Sequence, residues 1–349
     1  MTITHVRVGG YTSSMGGDAL GIGLLRWNHD GAGLEVLDTT PTSSPSFLAA
    51  GFNGLLYATD EAGRIEAFRP GPRLTLQPLG GQPTSGGFPC HVSVTLGRLF
   101  VSNYLDGSID VFSLTVDGRV DALIQTLPSE GSGPNPVQQG PHAHSTLLCG
   151  STLLGGSTLP GGTTFPGGST LLSADLGADR VHVHALERGQ LVRTASVALP
   201  PGTGPRDLIA HAGRTIVLGE LDGGLFALDE RGRITAVGSV SNDWFEGDHA
   251  AGFAIDTAGR FGYTGLRGSN RIAVFRAADL SPVTTVSCGG DWPRHLCVIT
   301  AGDSGDVLLV ANQLSSTVAA FALDPNTGIP CPLGSPVNVA SPTFLLPVI

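Results

Sequence analysis

Five side chains suited to proton transfer and anion binding recur at equivalent places along the chain. His144, Arg206 and Arg294 stand where an apolar strand begins, and Glu220 and Arg267 stand where the following strand ends. A histidine titrates near neutral pH and can take up or release a proton, whereas a guanidinium group binds carboxylate or phosphate through parallel hydrogen bonds. These residue types indicate recognition of an anion beside a group that moves a proton.

The places are equivalent because the chain contains an internal repeat with a period of about 40 to 50 residues. Each repeat unit reads as an apolar strand, a turn with glycine, a second strand that ends in a polar residue, a tight turn, a third strand and a more polar fourth strand. Four antiparallel strands in a segment of this length are typical of one blade of a β-propeller. Six such units begin at Pro45, Pro89, Pro141, Pro205, His249 and Pro293.

The two chain ends supply a seventh unit. Residues 4–39 contain three strands but lack the first one, and the terminal segment SPTFLLPVI has the apolar character of the missing strand. Pairing the two ends removes sheet edges that would otherwise be exposed. The sequence therefore predicts an all-β fold: a seven-bladed β-propeller over residues 1–349, a single domain closed by the N- and C-terminal strands in one blade.

In an antiparallel blade the start of the first strand and the end of the second lie on the same face, so we expect their side chains to converge near a central channel. Arginines that face one another are costly unless an anion lies between them. The alternative is structural, because polar residues at strand ends often satisfy buried backbone groups. The second strands are expected to end at Glu61, Tyr104, Asp175, Glu220, Arg267 and Gln313.

A low-complexity insertion at about residues 149–169 interrupts the period with a hexapeptide repeat of the GSTLLG type. We expect an expanded loop between the first two strands of its blade that leaves the pocket untouched. The five cysteines form no CxxC pair and are expected to be reduced. No apolar leader or long apolar run is present, so we expect a cytoplasmic protein.

The net charge of the chain and its lack of lysine limit the kinds of molecule that it is expected to bind. The formal net charge is −10 at pH 7, which disfavours nucleic acid and anionic membrane surfaces as partners. The sequence contains no lysine, so all 19 fixed cations are arginines, and chemistry through a Schiff base or a Walker-type lysine is excluded. We expect a monomer or a weak dimer.

Several motifs resemble those of one known family. They are EGSGPNPVQQGPHAHS (130–145), PGTGPRDL (201–208), GELD (219–222), LRGSNRIAVF (266–275), WPRHL (292–296) and VANQ (310–313). Over nearly its whole length the chain resembles the lactonase family of seven-bladed propellers, which includes bacterial 6-phosphogluconolactonases and fungal carboxymuconate cyclases. The chain departs from the family at residues 249–254, where HAAGFA replaces a WAAEIH-like segment and lacks its Glu and His.

The resemblance implies an enzyme that hydrolyses a sugar lactone, 6-phosphogluconolactone being the expected substrate. It assigns catalytic roles to four residues and substrate binding to three more; the seven are His144, Arg206, Glu220 and Arg267, then His142, Arg294 and Gln313. In this scheme His144 activates water, Arg206 and Arg267 hold the oxyanion and the distal anion, and Glu220 orients a neighbouring side chain.

Three alternatives stay open from the sequence. The same residues could move a proton in the cycloisomerisation of a carboxymuconate, or the propeller could bind a protein partner without catalysis. The lactonase scheme requires no cofactor and no metal. Because residues two apart in a strand point the same way, His142 and His144 could nevertheless hold a metal ion together.

Overall fold

The computed structural model describes residues 3–28, 33–149, 170–300 and 305–348, and β-strands dominate it. In chain order the first strands are β1 (Ile3–Gly10), β2 (Gly21–Asn28), β3 (Gly33–Pro41), β4 (Pro45–Ala50), β5 (Leu56–Asp60), β6 (Arg64–Pro70), β7 (Leu76–Pro83), β8 (Pro89–Thr95), β9 (Arg98–Asn103), β10 (Ile109–Leu114), β11 (Val120–Leu127), β12 (Ala143–Cys149), β13 (Thr170–Asp175), β14 (Arg180–Glu187) and β15 (Gln190–Ala198). From residue 150 onward the predicted insertion lies outside the described residues.

The remaining strands follow the same pattern of short segments and tight connections. They are β16 (Pro205–His211), β17 (Arg214–Gly219), β18 (Gly224–Leu228), β19 (Ile234–Ser239), β20 (Ala250–Ile255), β21 (Phe261–Leu266), β22 (Arg271–Arg276), β23 (Pro282–Ser287), β24 (Pro293–Thr300), β25 (Asp306–Asn312), β26 (Thr317–Leu323), β27 (Pro330–Pro332), β28 (Val337–Asn338) and β29 (Pro342–Val348). Short 3-10 turns occupy Ser13–Met15, Phe52–Gly54 and Pro72–Leu74. Within the described ranges, no helix has the length and apolar character needed to cross a membrane.

The strands form seven sheets, and the predicted all-β, seven-bladed propeller fold is confirmed. Six sheets consist of consecutive strands, whereas the seventh has the order β29-β1-β2-β3. The chain divides into two compact units: residues 1–46 with 238–349, called the first unit, and residues 47–237, called the second unit. That the whole chain is a single domain stays a prediction.

Closure by the two chain ends, which takes place within the first unit, is also confirmed. Strand β29 pairs antiparallel with β1, so that Val8 faces Leu345 and Arg7 faces Leu346. On its other side β1 pairs with β2, which makes β29 the innermost strand of its sheet. Leu345, Val6 and Trp27 are at most 1% exposed and belong to one apolar cluster.

Leu345→Ala should therefore lower the free energy of unfolding by about 2 to 5 kcal/mol, because it leaves a cavity in a closed core. Urea unfolding measures this loss. Leu20 lies in the same unit but is 76% exposed, and its replacement by alanine should change stability by less than about 0.5 kcal/mol. Equal effects of the two changes would argue that β29 contributes no packing to the closure.

In the second unit the hairpin turns follow from local chemistry. Between β5 and β6 the side chain of Asp60 accepts the N–H of Ala62 at 3.0 Å, and the carbonyl oxygen of Asp60 accepts the N–H of Gly63 at 2.9 Å. Gly63 has a φ of +116°, a conformation that residues with a Cβ rarely adopt. The apolar faces of these strands pack around Tyr57 and Phe112, both buried.

A β-bulge recurs at the start of the first strand of several sheets. The register between first and second strand skips one residue there, so that one residue of the first strand has no partner directly opposite. The skipped residues are Cys90, His144 and Arg206 in the second unit, and Arg294 and Thr343 in the first unit. Bulges redirect a side chain and are common next to active sites.

Candidate functional site

Three of the predicted site residues share this bulged position: His144, Arg206 and Arg294. In the second unit β12, which carries His144, packs beside both β8 and β16. The thiol of Cys90 in β8 lies 3.3 Å from the carbonyl oxygen of His144, so neighbouring bulges touch. In the second unit His144 and Arg206 therefore occupy equivalent bulges in two strands that pack against each other.

A second recurring position directly follows the second strand of several sheets. The backbone N–H of this residue donates to the carbonyl oxygen of a residue just before the first strand, over 2.8 to 3.1 Å. The residues at this position are Tyr104, Leu176 and Glu220 in the second unit, and Tyr11, Arg267 and Gln313 in the first unit. Three predicted site residues therefore share a fixed backbone anchor.

Asp175 ends β13, as the sequence predicted, so it lies one residue before this position, which Leu176 takes in that sheet. The other five predicted strand ends lie one residue beyond their strands. Its carboxylate is 1% exposed and accepts the hydroxyl of Ser129 at 2.6 Å and the backbone N–H groups of His142 and Ala178 at 2.8 and 3.1 Å. Burial alone would raise the pKa of Asp175, but hydrogen bonds from His182, Ser129 and the His142 backbone hold it below its ordinary value. Asp175 is a buried structural anchor for the segment that leads into β12.

Tyr104 contacts both predicted histidines. The ring of His142 stacks on it with centroids 4.4 Å apart and planes 9° from parallel, and the ring of His144 meets it edge-on at 5.9 Å. Nδ1 of His142 lies 2.6 Å from the main-chain carbonyl oxygen of Tyr104. A carbonyl can only accept, so Nδ1 carries the proton and Nε2 of the neutral ring is left as an acceptor.

The two histidines do not sit in one regular strand as the sequence suggested. His142 precedes β12, and His144 occupies the bulge, so simple alternation does not set their directions. Within residues 3–28, 33–149, 170–300 and 305–348, no group of three or more His, Cys, Asp or Glu side chains is arranged to hold a metal ion.

Tyr104→Ala should lower kcat/KM about 10-fold for the lactone that the sequence resemblance implies, because aromatic contacts of this kind contribute roughly 0.5 to 1.5 kcal/mol to the placement of the partner ring. Tyr104→Phe keeps both ring contacts and is the matched control, with activity expected within about 2-fold of the original. Steady-state kinetics measure both. An equally large loss in the phenylalanine variant would show that the hydroxyl, not the ring, matters.

Arg206 and Glu220 form a buried ion pair. Nη1 of Arg206 donates to Oε2 of Glu220, and the two side chains are only 10% and 12% exposed. Arg206 occupies the bulge of β16, and Glu220 follows β17, its partner strand. The structure thus places Glu220 where it can orient an arginine, which is the role suggested from the sequence.

In the first unit the guanidinium group of Arg294 contacts two side chains, those of Gln313 and Tyr11. Its Nη1 donates to Oε1 of Gln313 at 3.2 Å, its Nη2 donates to the hydroxyl of Tyr11, and its guanidinium carbon lies 4.7 Å from the centre of the Tyr11 ring. The sequence prediction missed Tyr11. Tyr11 could have been found from its place in the repeat. Once β29 is the first strand of this sheet, β1 is the second, and Tyr11 directly follows it.

Arg267 is fixed mainly by main-chain groups of the same unit. Its Nε donates to the carbonyl oxygen of His249 at 3.2 Å, and its Nη2 donates to that of Ala250 at 3.4 Å. The guanidinium carbon lies 5.6 Å from the Trp292 ring centre. The contacts to residues 249 and 250 place Arg267 at the segment where the chain departs from its family.

Two further histidines near the bulges are structural. Nδ1 of His91 accepts the backbone N–H of Thr146 at 3.3 Å, and Nδ1 of His295 accepts that of Leu345 at 3.2 Å. Each ring packs against a phenylalanine, with centroids 4.2 Å and 3.9 Å apart. Within each unit these histidines link one first strand to the next.

Burial lowers the pKa of His91 to about 3, which makes stability depend on pH. The folded pKa lies below the unfolded value, so this contribution is complete above about pH 6.5 and is lost as the pH falls toward 3. We expect the free energy of unfolding to fall by up to about 1.4 kcal/mol per pH unit from this group. His91→Asn should reduce the slope in urea unfolding at pH 7 and pH 5. His211→Asn, at a partly exposed site, is the control, and an unchanged slope for His91→Asn would contradict the assignment.

Comparison with known proteins identifies the family. The family model described as "Lactonase, 7-bladed beta-propeller" matches residues 5–154 and 161–347. The chain belongs to this lactonase family. The predicted family and the predicted enzyme class, a lactonase, are therefore confirmed.

Relatives of this lactonase extend over nearly its whole length. A 6-phosphogluconolactonase of Bacillus subtilis is 29% identical over 321 residues, which is 86% of each chain. The structure of a periplasmic gluconolactonase from Pseudomonas aeruginosa is 26% identical, has a TM-score of 0.86, and covers 100% of this chain and 99% of that one. A protein structure from Lactobacillus plantarum has a TM-score of 0.86 at 24% identity and supports the fold alone.

Proposed function

We propose that this lactonase hydrolyses a sugar lactone, with 6-phosphogluconolactone as substrate and 6-phosphogluconate as product. The observation that carries the proposal is that His144 and Arg206 occupy equivalent bulges at the starts of β12 and β16, two strands that pack together, and that Arg206 is paired with a buried carboxylate. The similarity to a 6-phosphogluconolactonase of Bacillus subtilis supports the phosphorylated substrate.

In the proposed reaction His144 takes a proton from water while the water oxygen attacks the lactone carbonyl carbon. Arg206 stabilises the oxyanion that forms, and such preorganised donors typically contribute the largest share of catalysis in acyl transfer. The bond from the carbonyl carbon to the ring oxygen then breaks. The protonated His144 returns its proton to the leaving alkoxide, so that one lactone and one water give one hydroxy acid.

The other predicted residues keep the roles that the resemblance implies. Glu220 holds the guanidinium of Arg206 in one orientation. In the first unit Arg267 keeps its proposed catalytic role and Arg294 and Gln313 their proposed role in substrate binding, and contacts with Trp292 and Tyr11 hold the two guanidinium groups in place. Preorganised donors lose less entropy on binding than mobile ones.

His142 is a second candidate for the base. Its Nδ1 proton is committed to the Tyr104 carbonyl oxygen, and its ring is stacked on Tyr104, which leaves Nε2 as an oriented acceptor. A histidine held through Nδ1 in this way is a common arrangement for a general base. If His142 is not the base, the same contacts suit it to binding a substrate hydroxyl.

The decisive experiment compares three compounds at equal concentration, each corrected for its spontaneous reaction. They are 6-phosphogluconolactone, its unphosphorylated counterpart gluconolactone, and a carboxymuconate. We expect the phosphorylated lactone to have the highest kcat/KM. Preference for gluconolactone, the substrate in the name of the Pseudomonas relative, would remove the phosphate from the proposal. Turnover of carboxymuconate alone would favour cycloisomerisation, and no turnover of any compound would favour a binding protein. A cytoplasmic location and a monomer or weak dimer stay predictions.

A further inference from the structure

A buried carboxylate ties together the two chain segments that lead into β12 and β16. Asp179 is 6% exposed. Its Oδ1 accepts the backbone N–H of Gly204 at 2.7 Å and the side-chain amide of Gln138 at 2.7 Å, and its Oδ2 accepts the backbone N–H of Gly202 at 2.7 Å. One side chain thus contacts the segment before His144 and the segment before Arg206.

On the side of His144 the link runs through Gln138, which is fully buried. Besides Asp179, its Nε2 donates to the carbonyl oxygen of Leu176 at 2.7 Å, and its Oε1 accepts the backbone N–H of Asn135 at 3.1 Å. Both the nitrogen and the oxygen of the Gln138 side chain are therefore hydrogen-bonded, and they fix a loop that ends only a few residues before His144. A buried amide with its donors and acceptor satisfied makes a rigid contact.

On the side of Arg206 the link runs through a short loop held from both flanks. Thr203, between the two glycines, is fully buried, and its hydroxyl donates to Oδ2 of Asp222 at 3.0 Å. The N–H of Glu220 donates to the carbonyl oxygen of Gly204 at 2.8 Å. Arg206 and its ion-pair partner therefore both depend on where this loop lies.

Asp179 affects the pKa of Asp222, which lies across the loop. Burial raises the pKa of Asp222, and the nearby Asp179 carboxylate adds to the shift. Asp179 also has a φ of +52°, a left-handed conformation that is unfavourable for a residue other than glycine. The left-handed backbone conformation and the burial of the carboxylate are both unfavourable, and the hydrogen bonds from three N–H donors offset them.

We propose that Asp179 is a positioning residue, which sets the placement of His144 relative to Arg206 by holding both of their leading segments. The inference rests on the proposed function, because it takes these two residues as parts of the reacting site. Asp179 itself acts only through the backbone and Gln138. A misplacement of about 1 Å between reacting groups can lower a rate by about 10²-fold.

Asp179→Asn tests the proposal with almost no change of shape. The amide replaces one acceptor by a donor that opposes a backbone N–H, so one of the three contacts is lost. We expect kcat/KM for 6-phosphogluconolactone to fall about 10²-fold at a temperature well below unfolding. The matched control is Asp229→Asn in the hairpin between β18 and β19, where Oδ1 accepts the N–H groups of Arg231 and Arg233, both at 2.9 Å.

A double-mutant cycle separates positioning from general stability. In a His144→Ala background Asp179→Asn should lower the residual rate by less than about 3-fold, because misplacement matters only when the base is present. A full 10²-fold loss in that background, or the same loss in Asp229→Asn, would overturn the positioning role. If Asp179→Asn does not fold, Gln138→Met takes its place, since it removes the amide link and keeps the volume. If the unsubstituted protein does not hydrolyse the lactone, both the proposed function and this inference are overturned. If the unsubstituted protein is active and the Asp179→Asn variant is equally active, only this inference is overturned.

Discussion

Alanine in place of His144 is expected to lower kcat for lactone hydrolysis about 10²- to 10⁴-fold, the usual contribution of a general base. The original enzyme should lose activity as the pH falls through the range in which histidines take up a proton, and the variant should lack this dependence. Initial rates across pH 5 to 8, corrected for spontaneous hydrolysis, measure both effects. His144 is partly exposed, so the melting temperature should change little.

His142→Ala is the matched comparison, since this histidine shares the Tyr104 contact but has its Nδ1 committed to a carbonyl oxygen. If His144 is the base, the His142 variant should mainly raise KM and keep the acid limb of the pH profile. The reverse result, with the limb lost in His142→Ala and kept in His144→Ala, would transfer the role of base to His142. Unchanged kinetics in both variants would contradict the proposed mechanism.

Breaking the Arg206 and Glu220 pair should affect activity and stability together. Arg206→Met removes the guanidinium from the buried Glu220 carboxylate, and breaking a buried ion pair typically costs about 3 to 5 kcal/mol of unfolding free energy. The same change should lower kcat about 10²- to 10³-fold, because it removes a donor to the oxyanion. Urea unfolding and initial rates report the two effects separately.

The double variant Arg206→Met with Glu220→Leu separates the two roles. Replacing both charges by apolar side chains should restore most of the lost stability, since buried pairs often gain little over apolar packing. Activity should stay low. Recovery of activity with stability would mean that the pair is structural only. The exposed pair of Arg26 and Glu35, with side chains 38% and 53% exposed, is the control, and Arg26→Met should cost at most about 1 kcal/mol.

The blades were predictable because their signals are local. Alternating apolar residues, glycine turns and a regular period recur in each repeat, and the apolar C-terminal segment matched the strand that residues 4–39 lacked. The same register argument identified five strand ends from which site residues extend. Asp175 ends its strand, whereas the other five predicted ends directly follow theirs, because a polar residue after an apolar run can belong either to the strand or to the turn that follows.

The candidate site was predictable only in part. The resemblance selected His144, Arg206, Glu220 and Arg267, with His142, Arg294 and Gln313 beside them. Only the structure shows that His295, the neighbour of Arg294, is bonded to the backbone of β29. Tyr104 and Tyr11 were also left out of the predicted site, although both hold site side chains. Aromatic residues at strand ends are common, and their contacts with residues distant in sequence leave no mark in their own segments.

The sequence by itself determined the class of fold, the number of blades and the pairing of the chain ends, because these follow from short-range patterning repeated along the chain. The family was indicated by the resemblance of its motifs. Only the tertiary structure decided that His144, Arg206 and Arg294 occupy bulges, that Glu220 neutralises Arg206, and that Asp179 joins two segments. A bulge depends on the register between two strands, and a buried carboxylate depends on donors from distant loops. Such contacts form when separate segments pack, and no local propensity encodes them.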